Sequence, residues 1–245
     1  MTQIINIAAY KFVGLADLER RKAEMMAQAQ ALALKGTILL TPEGINLFLA
    51  GQRAETESFL AWLRQDNAFA DLEAKYSVSE GLPFKKLLVK IKEEIIRMNH
   101  PTIRPEAGRA PAVDAHTAAR WIAEGKDDAG RPVVLLDTRN DFEVEAGTFK
   151  GAINWRLSKF TEFPQAVLEH KDEFAGKTVI SFCTGGIRCE KAAIFMADAG
   201  VENVYQLDGG ILKYFEQTGG VGYEGNCFVF DERRSLDATL SPQPV

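Results

Sequence analysis

The chain has 245 residues, 46% hydrophobic and 26% charged, with a formal net charge of −5. That composition suits one large or two modest globular domains and argues against a general nucleic-acid coat. No apolar run approaches the roughly 20 residues that span a bilayer, and Met1-Thr2-Gln3-Ile4 lacks the basic-then-apolar start of a secretory signal. The three cysteines, Cys183, Cys189 and Cys227, suit a reducing cytoplasm rather than a disulfide framework. His100, His116 and His170 are too scattered for a metal site.

Residues 4–13 read as a strand and 15–34 as a helix of good helix formers ended by Gly36. Residues 37–40 and 46–50 flank Thr41-Pro42-Glu43-Gly44-Ile45 as a hairpin. A helix over 53–65 and strands over 74–78 and 86–92 follow. This order is the split βαβ pattern, βαββαβ, of ferredoxin-like domains, expected over residues 1–98. Glu43 and Asn46 read as turn formers. The first 105 residues carry 14 Lys/Arg against 12 Asp/Glu, the rest 15 against 22. A polyanion surface is therefore expected in the first part, on Lys85, Lys86, Lys90 and Lys92, although a merely solvated strand face explains the same run.

Residues 99–111 hold three prolines and a glycine and read as a semi-extended linker. From 112 to 218 short apolar strands alternate with helices, which predicts a mainly parallel sheet covered on both faces. Asp114 is the expected cap of a helix through Trp121, and 133–136 is a strand ending at Asp137-Thr138-Arg139. A short helical turn over 142–146, strands at 151–154, 178–182 and 204–207, and helices at 163–174, 189–199 and 211–217 complete the α/β domain. The tail, 219–245, reads as fading structure, disordered from 235.

The chemistry concentrates in Cys183-Thr184-Gly185-Gly186-Ile187-Arg188, a loop between the strand 178–182 and the helix that follows. Gly185 and Gly186 allow conformations closed to other residues. N–H groups of the loop, the helix N-terminus and Arg188 then stabilise an anion, which is the Cys183 thiolate. Cys183 and Arg188 are the expected catalytic pair, with Thr184, Gly185, Gly186 and Ile187 as the cradle. Asp137 and Arg139 are expected as support. Cys189, Glu190 and Lys191 carry no expected role, the last two as a solvated helix start. Four residues separate Cys183 from Arg188, one fewer than in cysteine-dependent phosphatases, so the ring suits a sulfur atom better than phosphate.

Leu136-Asp137-Thr138-Arg139, Glu143 with Gly147, Gly151-Ala152-Ile153-Asn154, the cysteine loop and Leu207-Asp208-Gly209-Gly210-Ile211 occur in the order of a rhodanese domain, which the second half resembles. Thr184 to Lys191, Glu43-Gly44-Ile45-Asn46 and Cys227-Phe228-Val229-Phe230-Asp231-Glu232-Arg233 are similar to the tRNA uridine hydroxylases of that superfamily. The resemblance covers residues 1–234. Leu47 stands where that family's glycine is expected, and the Cys-rich tail of many members is missing. The resemblance implies oxygen-dependent formation of 5-hydroxyuridine at the wobble position, with Cys183 essential. It implies molecular oxygen as co-substrate and tRNA recognised at its anticodon loop as partner; no cofactor is identified from the residues, and no stable protein partner or membrane is expected. The alternative is a sulfurtransferase carrying a persulfide on Cys183.

Overall fold

The computed structural model describes residues 3–243. Residues up to Ile95 together with Phe230–Arg233 form one compact unit, and Ile96–Val229 with the residues from Arg234 a second.

In the first unit β1 (Ile4–Phe12), α1 (Leu18–Ala31), β2 (Lys35–Thr41), β3 (Gly44–Gly51), α2 (Arg53–Leu63), β4 (Lys75–Ser79) and β5 (Leu87–Ile91) follow the expected order. The sheet runs β4-β1-β3-β2-β5, with β5 parallel to β2 and the other neighbours antiparallel. It is the βαββαβ plan with β5 added at the edge. Alternation decides the faces. Ile5, Ile7 and Ala9 of β1, Ile38 and Leu40 of β2, and Ile45, Leu47 and Leu49 of β3 are buried against Met25 and Ala29 of α1 and Phe59, Leu60 and Leu63 of α2. Each large apolar side chain so buried contributes about 1.5–3 kcal/mol before entropy is counted. The hairpin turn is tighter than the sequence suggests. Thr41 pairs Gly44, so Pro42 and Glu43 alone make the turn, and Asn46 is a strand residue opposite Tyr10 and Leu39. Glu43 sits in that turn and also makes a long-range bond, its carboxylate accepting the Ile95 N–H at 2.8 Å.

The second unit holds β6 (Ala112–Val113), α3 (Ala115–Glu124), β7 (Val133–Asp137), α4 (Asp141–Val144), β8 (Gly147–Phe149), β9 (Ile153–Asn154), α5 (Phe163–His170), β10 (Thr178–Phe182), α6 (Ile187–Asp198), β11 (Val204–Leu207) and α7 (Gly210–Thr218). Its sheet is parallel throughout, in the order β6-β11-β10-β7-β9. Every residue of β10 is buried. Val179 packs with Phe163, Ala192 and Met196 on one face, and Ile180 and Phe182 pack with Ala118, Ile211 and Tyr214 on the other. The expected cap is present, Asp114 Oδ1 accepting the N–H groups of His116 and Thr117 at 3.0 Å each.

Two regions differ from the sequence reading. The segment 99–111 is not a semi-extended spacer. Ile103 is buried in the second unit's core beside Met98, His100 packs edge-on to Phe195 at 4.9 Å, and Pro105–Ala107 is a 3-10 turn. Apolar side chains among the prolines outweigh the extended preference by finding a core to enter. The tail is also structured over its described part. β12 (Tyr223–Gly225) pairs with β8, and β13 (Cys227–Phe228) pairs with β14 (Ser235–Leu236). Asp237 accepts the N–H groups of Thr239 and Ser241, so short polar side chains supply order that periodicity does not reveal. Pro244 and Val245 lie outside the described residues.

Candidate active site

β10 is the central strand of the parallel sheet, and Cys183 is the first residue beyond its C-terminal end, where open α/β sheets gather their ligands. The turn that follows is tight because α6 begins at Ile187, two residues earlier than its sequence suggests. Arg188 therefore lies in the first helical turn, whose N–H groups have no partner within the helix. Gly186 caps this helix at φ 97°, a left-handed conformation. Gly185 does not share that need. Its φ is not in the left-handed region and a Cβ added there meets nothing within 4 Å, so only one of the two glycines is conformationally required.

The Gly186 N–H donates to Cys183 Sγ at 3.2 Å. Burial by itself pushes this thiol up. The Cys189 thiol donating to it, the charge of Arg188 and the N–H groups of Arg188 and Gly186 outweigh burial and hold it well below the ordinary thiol range. Cys189 moves the opposite way, raised by burial and by the anion it faces. Its sulfur also lies 3.7 Å from Thr138 Oγ1. Cys183, Cys189 and Cys227 are all fully buried. Cys227 is pushed up to about 12, chiefly by burial, so of the three Cys183 is the one set up as a thiolate nucleophile.

Arg188 acts differently from the expected sulfur-binding guanidinium. Its Nη1 and Nη2 donate to the two oxygens of Glu143 at 2.7 and 2.8 Å, and both side chains are buried. What Arg188 offers the sulfur is its backbone N–H and its charge. Glu143 in turn accepts the Asn140 N–H at 3.1 Å, which fixes it in the capping box of α4. Asp137 and Arg139 form the expected pair, fully buried and bidentate at 2.9 and 2.7 Å. Arg139 also donates to the carbonyls of Gly147 at 2.6 Å and Glu143 at 3.4 Å. The pair thus braces the segment that carries Glu143, and Glu143 holds Arg188.

The other side of the loop rests on α7. The Ile211 N–H donates to the Cys183 carbonyl at 2.9 Å and the Leu212 N–H to the Thr184 carbonyl at 3.0 Å. A Cβ on Gly210, at φ +67°, would lie 2.4 Å from the Cys183 carbonyl oxygen. This explains physically why Asp208-Gly209-Gly210 accompanies the cysteine loop. Glu190 and Lys191 are buried rather than solvated. Glu190 accepts from Arg109 at 2.9 Å and from Gln206 at 2.9 Å, which ties α6 to the chain entering β6 and to β11. Two tail residues, Tyr223, which the sequence does not single out, and Phe228 of the apolar patch 227–230, support the same corner. Tyr223 Oη donates to the Gly147 carbonyl at 2.7 Å, and Phe228 packs edge-on to Phe142 at 5.3 Å.

The sequence-predicted residues therefore fall into two groups. Cys183 to Arg188, with Asp137 and Arg139 behind them, form one connected arrangement in the second unit. Lys85, Lys86, Lys90 and Lys92 lie at the β5 edge of the first unit's sheet, all exposed, with Lys85 3.5 Å from Glu232. Strand β5 stops at Ile91, so Lys92 follows it rather than belonging to it. Glu143 and Cys189 are the functional residues that single-residue reading passed over. Glu143 was legible only as part of a motif, and nothing local marks Cys189, whose thiol meets Cys183 and Thr138 only in the folded unit.

Residues 4–95 match the UPF0176 acylphosphatase like domain and residues 115–217 the Rhodanese-like domain. A Bordetella pertussis protein named tRNA uridine(34) hydroxylase is 66% identical over 243 residues, 99% of this chain and 100% of its own length. Proteins of the same name from Variovorax paradoxus and Delftia acidovorans are 62% and 60% identical, over 98% and 100% of this chain and 92% and 93% of theirs. With two matched domains and identity of this extent along the whole chain, the protein belongs to the tRNA uridine(34) hydroxylase family.

Proposed function

We propose that the protein is an enzyme that hydroxylates the wobble uridine of tRNA to 5-hydroxyuridine with molecular oxygen, using Cys183 as its reactive group. The observation that carries this is the full-length identity to proteins of that name, joined to a cysteine held as a thiolate at the end of the central strand. Placing a hydroxyl on C5 with dioxygen sends one oxygen atom to the base and the other to water. Two electrons and two protons are consumed, and two thiols closing to a disulfide supply both. The chain's own contribution is to keep Cys183 ionised at neutral pH and fixed in direction. The N–H groups of Gly186 and Arg188, the Cys189 thiol and the Arg188 charge do this without reorganising during reaction. A wobble base sits in an unpaired loop and is splayed toward a protein at modest cost. The substrate is tRNA at its anticodon loop, and the compartment is the cytoplasm, where tRNA and reducing thiols coexist.

The test is complementation of a deletion strain with wild type or Cys183→Ser, followed by mass spectrometry of tRNA nucleosides. Wild type restores 5-hydroxyuridine and its derivatives and Cys183→Ser does not. Equal restoration by both overturns the assignment. Thiocyanate production by the purified protein with no change in tRNA nucleosides would instead favour sulfur transfer by the same loop.

A further inference from the structure

One face of the first unit's sheet packs on α1 and α2; the other is covered at the row of Ser77, Asn6 and Ala50, where Asn6 and Ala50 are buried and Arg233 donates to Ser77 at 2.6 Å, and is more open in the rows beyond it. Register places the outward positions in rows across the strands. One row is Lys75 of β4, Ala8 of β1, Phe48 of β3, Thr37 of β2 and Leu88 of β5. The next is Tyr10, Asn46, Leu39 and Lys90. These positions are half-buried or exposed, and Phe48, in the centre of the sheet, is 39% exposed. An aromatic ring at a central outward position has no packing role toward the helices, which take Leu47 and Leu49 instead. Lys75 Nζ lies 5.2 Å from the centre of the Tyr10 ring, within cation–π range. Lys35 shares this face, opposite Ala50, and Lys86 and Lys92 flank β5. The outward positions of the five strands carry three lysines, Lys35, Lys75 and Lys90, and no carboxylate.

A flat sheet face with a central ring and a border of cations is the chemistry that holds unpaired nucleotides, the rings taking base faces and the lysines taking phosphates. We propose that this face is a stacking platform for the unpaired bases of an RNA loop, with Phe48 as the stacking residue and Lys35, Lys75 and Lys90 as its phosphate contacts. The proposal rests on the tRNA reading above and adds the surface and the mode by which the RNA is held. The charge complementarity and the central exposed aromatic commit it to single-stranded RNA rather than a duplex, whose bases present no free faces.

The experiment measures binding of the full chain to a fluorescent anticodon stem-loop by anisotropy across a salt series, with a fully paired RNA of equal length as control. Phe48→Ala weakens stem-loop binding about tenfold and Phe48→Tyr leaves it near wild type, as expected for loss and retention of one stacked base. Lys75→Gln and Lys90→Gln each lower the slope of log affinity against log salt by about 0.7. Binding to the paired RNA does not respond to Phe48→Ala. Should Phe48→Ala lower the melting temperature, the two lysine variants and Phe48→Tyr still decide the question. A wild type that does not bind the stem-loop overturns the tRNA reading itself. A wild type that binds, with affinity and salt slope unchanged in Phe48→Ala and in both lysine variants, overturns the platform alone.

Discussion

The two sheets use their residues in opposite ways. The second unit buries β10 on both faces and delivers its chemistry at one point, the end of that strand. Around Cys183 almost every contact has a single purpose, from the Gly186 N–H to the Arg188–Glu143 pair behind it. The first unit packs one face of its sheet on two helices and covers the other only in part, leaving spaced lysines and the aromatic Phe48 on it. The comparison teaches where sensitivity to mutation lies. A point site is over-determined, so losing one atom group is costly. A spread surface sums many small terms, so each loss is graded.

Several changes sharpen or break that contrast. The largest effect is on Cys183→Ser, which is expected to abolish 5-hydroxyuridine in tRNA while leaving the fold intact, read by nucleoside mass spectrometry and thermal melting together. Next is Glu143→Ala, which leaves Arg188 buried without its partner. Breaking such a pair costs about 3–5 kcal/mol, so the melting temperature and the modification fall together. A stability within 1 kcal/mol of wild type, roughly the value of a solvated pair, would mean that this corner is not over-determined. The glycines give a paired test at smaller scale. Gly210→Ala puts a methyl group against the Cys183 carbonyl at positive φ and is expected to destabilise by about 1–3 kcal/mol, the range for strained backbone. Gly185→Ala has open space and ordinary φ and is expected to stay within about 0.5 kcal/mol.

The smallest effect concerns ionisation alone. Ultraviolet thiolate absorbance, taken as wild type minus Cys183→Ser, reports this one sulfur. Because its value is lowered, the thiolate is present above a midpoint of about 6 and is lost as pH falls through it. Cys189→Ala removes a donor to the anion, so the midpoint moves up. A midpoint left in the ordinary thiol range in wild type would contradict the geometry of the loop.

Much of this was legible in the sequence for physical reasons. The order of apolar runs, helix formers and the Pro/Gly turn over residues 4–78 marked the βαββαβ plan, and the strand–Cys–Gly–loop–helix order marked the reactive sulfur. What remained hidden was tertiary. Nothing local shows that Arg188 turns its guanidinium to Glu143, 45 residues earlier in the chain. Nor does composition reveal that the charged pair Glu190 and Lys191 is buried, because Arg109 and Gln206 come to Glu190 from distant segments. Periodicity misread 235–243 because its order comes from side-chain bonds at Asp237. The linker reading failed because prolines report backbone preference and say nothing of the core that Ile103 enters.

In the proposed reaction one atom of dioxygen reaches C5 of the wobble uridine, with the Cys183 thiolate as the reactive group. Growing the complemented deletion strain under isotopically heavy dioxygen and analysing tRNA nucleosides tests it most directly. The expected result is 5-hydroxyuridine that carries the heavy oxygen with wild type and is absent with Cys183→Ser. Light oxygen in that position, or heavy product formed with Cys183→Ser, would contradict it.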